Sequence, residues 1–214
     1  MTTLDSIPLL LFAKAPIPGK VKTRLMSDCS AEQAAEIAQL LMEASIQKAC
    51  EFWPGEVYLS ASLDLDHIFF VQMQQRYPIS ITQQCEGDLG EKMRHALAEF
   101  GYPCAVMGCD APHVLPSALE QAYESLDAGE SVIGPSEDGG YYFLGLCRDY
   151  NLLFSNMPWG SNQVLENTLL RACSIDLSLT ELPKLNDVDE WQDLLSAAHN
   201  IPSMQTYLQA QNLL

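Results

Sequence analysis

The sequence predicts an α/β fold built on a mainly parallel sheet, and three observations support that prediction. Short apolar runs of strand length alternate with helical patterns of ten or more residues along almost the whole chain. The first run, Ile7 to Lys14, is almost continuously apolar, which is typical of a strand buried on both faces. No linker, repeat or low-complexity segment interrupts the pattern, so residues 1–214 are predicted to form a single domain.

The predicted strands are short apolar or alternating runs bounded by proline, glycine or polar residues. In chain order they are Ile7 to Lys14, Val57 to Ala61, Ile79 to Gln83, Ala105 to Gly108, Ser131 to Gly134, Tyr141 to Leu146 and Ile175 to Leu182.

The predicted helices follow from apolar residues at helical spacing and from start and stop signals. Ser30-Ala31-Glu32-Gln33 has the form of a capping box, and Pro78 stops the second helix. The helices span approximately 30–50, 66–77, 89–100, 116–126 and 163–172, with one through Leu195 and a short one after Pro202.

The composition bounds the class of protein and of partner. With 48% apolar and 18% charged residues, the chain of 214 residues is predicted to be a soluble globular protein with a sizeable core. Its 11 basic and 28 acidic residues give a net charge of −17, which argues against binding nucleic acid or anionic membranes. A small nucleotide neutralised by a metal ion remains compatible with a locally basic site.

The cysteines and the N-terminus favour a cytoplasmic protein. The seven cysteines form no C-x-x-C pair, and Met1 to Ile7 lacks the features of a secretory segment. No apolar run approaches the roughly 20 residues needed to cross a bilayer. The histidines, at positions 67, 95, 113 and 199, lack metal-ligand spacing, so a zinc site is not expected.

A basic loop follows the first strand. Lys14, Lys20, Lys22 and Arg24 lie within eleven residues of a strongly acidic chain, and two prolines and a glycine stiffen the turn. Such a concentration of positive charge favours a phosphate-binding loop, although an ordinary solvated turn remains the alternative. The spacing matches neither a Walker A motif nor G-x-G-x-x-G.

Two acidic positions are candidates for metal ligands. Asp110 ends an apolar strand, where it could hold a divalent cation or could equally cap the turn through Ala111-Pro112. Asp187-Val188-Asp189 could supply a second ligand, or Asp189 could N-cap the helix that begins near Glu190. Neither pattern decides between its alternatives.

Three further features have weaker interpretations. Asp138-Gly139-Gly140 could let a sugar or base approach the backbone, or could form a plain hairpin. Cys109 has no histidine at a recognisable spacing, and Asp110 beside it opposes a thiolate, so a covalent thiol mechanism is not expected. Trp159 and Tyr141-Tyr142 are more typical of core or rim positions than of base-stacking platforms.

Several of these motifs occur together in a characteristic order. They are Leu11 to Leu25, Gly87 to Met93, Gly108 to Pro112, Gly134 to Tyr142 and Asp187 to Asp189. In this order the sequence resembles a bacterial family of glycosyltransferase-A-like proteins that is labelled as nucleotide-diphospho-sugar transferases. That family is related to the guanylyltransferase that activates phospholactate, and more distantly to molybdenum-cofactor nucleotidyltransferases. The resemblance extends from about Pro8 to Leu195.

The resemblance implies a three-layer α/β/α, Rossmann-like domain of the GT-A type that binds a nucleotide over the strand ends. It implies Mg²⁺ or Mn²⁺ as cofactor, with Asp110 and Asp189 as ligands. Asp110, Lys22 and Arg24 are the expected catalytic residues. The expected nucleotide-binding residues are Lys14, Pro18, Gly19, Lys20, Lys22, Arg24, Asp138, Gly139 and Gly140.

Two positions depart from the family pattern. Ala111-Pro112-His113 stands where the family often has Cys-Pro-Asp, so a second carboxylate is missing there. Trp159-Gly160-Ser161 replaces Trp-Ser-Thr. The first departure puts tight metal binding in doubt.

The leading hypothesis from the sequence is a metal-dependent transferase that uses a nucleotide-activated sugar and an unknown small acceptor. One alternative is a nucleotidyltransferase that releases pyrophosphate from a nucleoside triphosphate. Another is a non-catalytic nucleotide-binding protein, for which His113 is the best support. The base, the sugar, the acceptor and the oligomeric state are left open by the sequence.

Overall fold

One seven-stranded sheet organises residues 6–213, the part of the chain that this computed structural model describes. The prediction that no secretory segment begins the chain falls mainly on residues 1–5, which lie outside the described residues. The strands are β1 (Leu9–Lys14), β2 (Val57–Ser62), β3 (Ile79–Gln83), β4 (Cys104–Gly108), β5 (Ser131–Pro135), β6 (Tyr141–Leu146) and β7 (Leu179–Glu181).

The strand order is β3-β2-β1-β4-β6-β5-β7, and β6 alone runs antiparallel to its neighbours. The predicted α/β fold with a mainly parallel sheet is therefore confirmed. The tight connection between β5 and β6 explains the exception, because two strands joined by a short hairpin must run antiparallel.

The described helices lie on both faces of this sheet. They are α1 (Ala31–Phe52), α2 (Ile68–Arg76), α3 (Leu89–Phe100), α4 (Pro116–Asp127), α5 (Val164–Ser174), α6 (Trp191–Ala198) and α7 (Pro202–Ala210). Short 3-10 helices span Thr23–Ser27 and Asn151–Leu153. The capping box predicted at Ser30 is present at the start of α1.

Alternate side chains of β1 divide the core into two layers. Leu9 and Leu11 pack among buried residues of α1, α2 and α4, whereas Leu10 packs with buried residues of α3 and α5. Because successive strand residues point to opposite faces, this nearly continuous apolar run supports helices on both sides. The architecture is the expected three-layer α/β/α arrangement.

A third cluster fixes two loops that matter for the site. Leu25 of the first 3-10 helix and Val188 are both fully or almost fully buried against Ile37 and Leu41 of α1 and residues of α6 and α7. The end of the basic loop and the segment 187–189 are therefore anchored to the same apolar cluster.

Some element boundaries differ from the predictions. The last strand was expected from Ile175, but β7 begins at Leu179 because the end of α5 continues into a turn in which Asp176 has φ +53°. The 3-10 helix Thr23–Ser27 was not predicted, and α6 extends three residues beyond Leu195. Among residues 6–213, no helix is long and apolar enough to span a bilayer.

Candidate active site

A cleft of about 640 Å³ opens at the carboxyl ends of β1 and β4. This is where ligands bind in open α/β sheets, and the volume lies within the usual range for small-molecule sites. Its charged lining residues are Lys14, Lys20, Lys22, Arg24, Lys92, Asp110, Asp187 and Asp189. The basic loop and both acidic motifs therefore reach the same cleft.

The backbone of the basic loop is held by hydrogen bonds within the loop and to the end of β2. Ala15 N–H donates to the Ser62 carbonyl at 3.1 Å, and Lys20 N–H donates to the Ile17 carbonyl at 2.9 Å. Gly19 has φ +74°, a conformation that glycine adopts without steric cost. The turn reverses the chain, so that Lys14 at the end of β1 and Lys20 both line the cleft.

Lys22 has an unusual backbone conformation and the most complete set of contacts. Its φ and ψ of 45° and 40° lie in the left-handed region, which is uncommon for a residue with a long side chain. The ammonium donates to the Val188 carbonyl at 2.7 Å and to Asp189 Oδ1 at 3.1 Å, and it also contacts Asp110 Oδ1. Burial acts to lower the pKa of Lys22, but Asp110 and Asp189 outweigh it and the pKa is raised. Lys22 is therefore a protonated cation held between two carboxylates.

The two carboxylates are linked through the backbone as well as through Lys22. Val188 N–H donates to the Asp110 carbonyl at 3.0 Å. The side chains remain accessible from the cleft, since those of Asp110 and Asp189 are 55% and 43% exposed. An incoming ligand can thus reach both carboxylates.

These contacts decide the alternatives that the sequence left open. The Asp110 carboxylate accepts no backbone hydrogen bond from the described residues, so the turn-capping interpretation is not supported. Asp189 does not N-cap α6, because Glu190 is the N-cap and its N–H donates to Asp193 Oδ2 at 2.9 Å. Both aspartates turn towards Lys22 instead.

Asp187 is the acidic residue whose environment the sequence did not reveal. Burial, followed by the negative charges of Asp138, Asp110 and Asp189, raises its pKa to about 7, against a smaller lowering by Lys22. The motif Asp187-Val188-Asp189 was singled out from the sequence, but only the tertiary packing brings Asp138 and Asp110 near Asp187. Negative charge is therefore concentrated around Asp187, and Lys22 does not fully balance it.

The other cations of the cleft differ in their pairing. Arg24 Nη1 lies 3.2 Å from Asp189 Oδ2, at an exposed position. Lys14, Lys20 and Lys92 have no carboxylate within 4.0 Å among residues 6–213. Lys92 was not predicted as a site residue, although it lies in the motif Gly87 to Met93. Lys92 lies in the first turn of α3, and the helical pattern of the sequence did not indicate that its side chain would face the cleft.

Asp138 and the glycines after it form the hairpin between β5 and β6. Asp138 Oδ1 accepts hydrogen bonds from the Ser136 hydroxyl and, at 2.9 Å, from Gly140 N–H. Gly139 has φ +87°, and a Cβ atom there would lie 2.1 Å from the Asn162 carbonyl oxygen. The glycine is therefore explained by close packing against the backbone of Asn162, just before α5.

Some predicted nucleotide-binding residues do not line the cleft. These are Pro18, Gly19, Asp138, Gly139 and Gly140. Pro18 and Gly19 shape the basic loop, and the other three shape the hairpin. A direct role for them in binding stays a prediction.

Cys109 and His113 do not support the alternatives built on them. Cys109 is 4% exposed, and its burial and the neighbouring Asp110 raise the pKa of its thiol, which opposes a thiolate nucleophile. His113 does not line the cleft, and burial followed by the charge of Lys48 lowers its pKa. The missing carboxylate at this position therefore does not remove a group from the cleft.

The aromatic residues divide between the core and the cleft. Trp159 packs against Gly90, where an added Cβ would lie 2.6 Å from the indole ring, and its ring is edge-on to Tyr141. Tyr141 and Tyr142 line the cleft, whereas Trp159 does not. Trp159 is thus a packing residue at the edge of the core, as was expected.

The donor set of the cleft suits a hard divalent cation. Within residues 6–213, no three Asp, Glu, His or Cys side chains converge as metal ligands. Asp110 and Asp189 supply carboxylate oxygens on either side of one cation, Lys22. Mg²⁺ characteristically binds one or two carboxylates and completes its shell with phosphate oxygens and waters. The two aspartates therefore fit a cation that binds together with a phosphorylated ligand.

Comparison with known proteins identifies relatives of this chain. The "putative nucleotide-diphospho-sugar transferase" of Desulfovibrio desulfuricans G20 is 26% identical, with a TM-score of 0.84, and the match covers 98% of this chain and 96% of that one. The structural similarity therefore extends over nearly the whole length of both chains.

Two other solved structures share the fold at lower identity. Rv0371c of Mycobacterium tuberculosis in complex with manganese is 17% identical, with a TM-score of 0.51 and coverage of 92% and 100% of the two chains. CMP:2-keto-3-deoxy-manno-octonic acid synthetase complexed with CTP is 11% identical, with a TM-score of 0.57 and coverage of 93% and 99%. The chain therefore shares its fold with these two proteins.

Comparison by sequence gives a family but no individual relative. A profile of the family described as "Uncharacterized protein conserved in bacteria (DUF2064)" matches residues 45–161, more than half of the chain. None of the curated proteins compared with the chain matches it.

Proposed function

The chain belongs to this DUF2064 family, and we propose that it is a metal-dependent transferase whose donor is a nucleoside diphosphate sugar. The observation that carries the proposal is the composition of the cleft. Lys14, Lys20 and Lys92 line it without an acidic partner among the described residues, and Asp110 and Asp189 line it around Lys22. A diphosphate bound to a divalent cation is complementary to both groups of residues.

Different residues of the cleft would bind the phosphates of the donor and the metal ion. Lys14, Lys20 and Lys92, which have no acidic partner among the described residues, are available to the phosphate oxygens of the donor. Asp110 and Asp189 would hold Mg²⁺ or Mn²⁺. When bound, such a cation supplies electrostatic stabilisation of the negative charge that develops on the leaving diphosphate.

The transfer replaces one bond to the anomeric carbon by another. An acceptor oxygen forms a bond to that carbon, while the bond from the carbon to the diphosphate oxygen breaks and its electron pair leaves with the nucleoside diphosphate. Because Lys14, Lys20 and Lys92 line the cleft, they would stabilise the charge on the leaving group with little reorganisation. The proton of the acceptor passes to solvent.

Nucleotidyl transfer is a second candidate, favoured by the lysines of the cleft that form no ion pair among the described residues. Lys14, Lys20 and Lys92 could neutralise a departing pyrophosphate, which carries more charge than a nucleoside diphosphate. The shared fold with a synthetase complexed with CTP supports the same alternative. Here the acceptor would form its bond to the α-phosphorus of a nucleoside triphosphate.

The products distinguish the two reactions. The protein would be incubated with Mg²⁺ or Mn²⁺, a panel of nucleotide sugars and nucleoside triphosphates, and phosphorylated and unphosphorylated small acceptors. Release of a nucleoside diphosphate indicates glycosyl transfer, and release of pyrophosphate indicates nucleotidyl transfer. Failure of every nucleotide to bind at millimolar concentration, measured by calorimetry with the metal present, would reject both.

Asp110→Asn tests the role of the cleft in either reaction. We expect the rate of transfer to fall about 10²- to 10³-fold, the usual effect of removing one group that stabilises developing charge. The matched control is Asp127→Asn, at an exposed position at the end of α4. An Asp110→Asn protein that keeps full activity would show that this carboxylate has no part in the reaction.

A further inference from the structure

Lys22 occupies the space between the two predicted metal ligands. Its ammonium contacts Asp110 Oδ1, lies 3.1 Å from Asp189 Oδ1 and donates to the Val188 carbonyl at 2.7 Å. The Lys22 side chain is only 8% exposed, so the ammonium is inserted among these oxygens rather than displayed to solvent. A cation bound by both carboxylates would compete for the same oxygen atoms.

The backbone of Lys22 holds the ammonium in this place. Its left-handed conformation, φ 45° and ψ 40°, immediately precedes the 3-10 helix Thr23–Ser27, whose Leu25 is fully buried. A lysine in this conformation persists only where surrounding contacts determine it. Lys22 is therefore a tethered cation, anchored through the buried end of the basic loop.

The two carboxylates have a separate support that does not involve Lys22. Val188 is 1% exposed, and its N–H donates to the Asp110 carbonyl at 3.0 Å. The segment before it is held by the hydrogen bond from Leu185 N–H to the Pro135 carbonyl, at 3.1 Å. The backbones that carry Asp110 and Asp189 are thus joined without the lysine.

The charge around Lys22 also favours exchange for a divalent ion. One ammonium faces Asp110 and Asp189, with the partly buried Asp187 nearby. A divalent cation brings twice the charge of the ammonium, but the two carboxylates alone give it an incomplete shell. Exchange is therefore favourable chiefly when phosphate oxygens complete that shell and accept the displaced ammonium.

We propose that the ammonium of Lys22 occupies the position of the divalent cation when no metal is bound. The metal displaces the ammonium on binding, and Lys22 then turns to the phosphate of the bound nucleotide. In the absence of nucleotide the ammonium keeps the metal affinity low, and the nucleotide and the metal therefore bind cooperatively. The inference rests on the proposed function for the two metal ligands and for the identity of the anion that receives Lys22.

The test measures the binding of Mn²⁺ in the absence of nucleotide. The electron paramagnetic resonance signal of free Mn²⁺ decreases as the ion binds, and this decrease gives the affinity. Lys22→Met keeps an unbranched side chain but removes the ammonium. We expect Mn²⁺ to bind this variant at least about tenfold more tightly than the wild type, because the competing cation is gone. The control Lys20→Met alters a lysine of the same loop that has no carboxylate within 4.0 Å among residues 6–213, and should leave the Mn²⁺ affinity unchanged. Unchanged or weaker binding in Lys22→Met would overturn the proposal.

A second variant tests whether the additional Mn²⁺ affinity comes from the site between Asp110 and Asp189. Lys22→Met combined with Asp189→Asn should lose the gained affinity, because one of the two ligands is absent. If the double variant retains it, Mn²⁺ binds elsewhere and the exchange at Lys22 is rejected.

The wild-type protein gives a readout that does not depend on the folding of any variant. Acylation of lysines by a small anhydride, mapped by mass spectrometry, should be low at Lys22 without metal and several-fold higher with saturating Mn²⁺, while Lys20 stays constant. Equal labelling of Lys22 in both conditions, or no Mn²⁺ binding at millimolar concentration by any of these proteins, would overturn the exchange.

These outcomes are separable from the failure of the proposed function. If no donor is turned over and no nucleotide binds, the transferase proposal fails, yet the Mn²⁺ titrations still decide whether Lys22 competes with the metal. If transfer is observed and Lys22→Met binds Mn²⁺ no more tightly, the exchange alone is rejected.

Discussion

The basic loop contains two pairs of cations with different environments. Lys22 and Arg24 contact Asp189, and Lys22 is inserted almost completely between that residue and Asp110. Lys14 and Lys20 line the same cleft with no carboxylate within 4.0 Å among residues 6–213. We refer to the first as the anchored pair and to the second as the open pair.

The difference teaches that proximity in sequence does not give these cations one role. The open pair has unmet electrostatic capacity and can accept an external anion. The anchored pair already neutralises carboxylates, and its members differ again, since the side chain of Arg24 is 68% exposed and that of Lys22 is 8% exposed. Burial strengthens an ion pair at Lys22, and solvent weakens one at Arg24.

Among the variants that test this comparison of the two pairs, the largest effect should come from removing the open pair. We expect Lys14→Met combined with Lys20→Met to weaken nucleotide binding about a hundredfold, because two charge-assisted contacts are lost at about 1.4 kcal/mol each. Calorimetry at low and high salt measures this change, and the variant should also show a smaller salt dependence. Binding within threefold of the wild type would remove the distinction between the open and the anchored pair.

An intermediate effect is expected from Asp187→Asn, which tests the unbalanced charge beside the anchored pair. Burial, followed by Asp138, Asp110 and Asp189, raises the pKa of Asp187 from 3.8 to about 7. Ionisation thus opposes folding increasingly between these two pH values, fully above about pH 7 and not at all below about pH 4. At 1.36 kcal/mol per pKa unit the cost is about 4 kcal/mol, and partial exposure reduces it to about 2 kcal/mol.

Chemical unfolding of the metal-free protein at pH 4.5 and pH 8 measures this dependence. Asp187→Asn should gain about 2 kcal/mol in free energy of unfolding over the wild type at pH 8 and little at pH 4.5, whereas Asp127→Asn should show no such difference. An equal gain at both pH values would mean that the charge of Asp187 is not the cause.

The smallest effect is expected from Arg24→Gln. The exposed ion pair with Asp189, at 3.2 Å, should contribute less than about 1 kcal/mol to the free energy of unfolding. Thermal unfolding at low salt measures it, and Mn²⁺ affinity should change less than threefold. A loss of several kcal/mol would show that Arg24 is as firmly anchored as Lys22.

Much of the fold could be predicted from the sequence because its local signals agree with its packing. The capping box at Ser30 and the bounds of α3 and β6 are confirmed. The start of the last strand was less predictable, since the turn after α5 has no glycine or proline and uses Asp176 at positive φ. N-capping of α6 was one of the two alternatives predicted for Asp189. The structure differs because the Asp189 carboxylate forms ion pairs with Lys22 and Arg24 instead of accepting a hydrogen bond at the helix start.

The candidate site shows the same division. The concentration of cations in residues 14–24 and the position of Asp110 after an apolar strand indicated a site at the sheet edge. The sequence contained no sign that Lys92 lines the cleft or that Asp187 has a raised pKa, because both depend on residues brought together from distant parts of the chain.

The sequence by itself therefore determined which segments form strands and helices, and which strand ends carry charge, because burial patterns and turn residues act over a few positions. Only the tertiary structure decided which charges meet. Lys22 and Asp189 are separated by 167 residues, and their contact depends on the apolar cluster that anchors Leu25 and Val188. An ion pair of this kind is specified by the packing of the elements around it, and no local pattern encodes it.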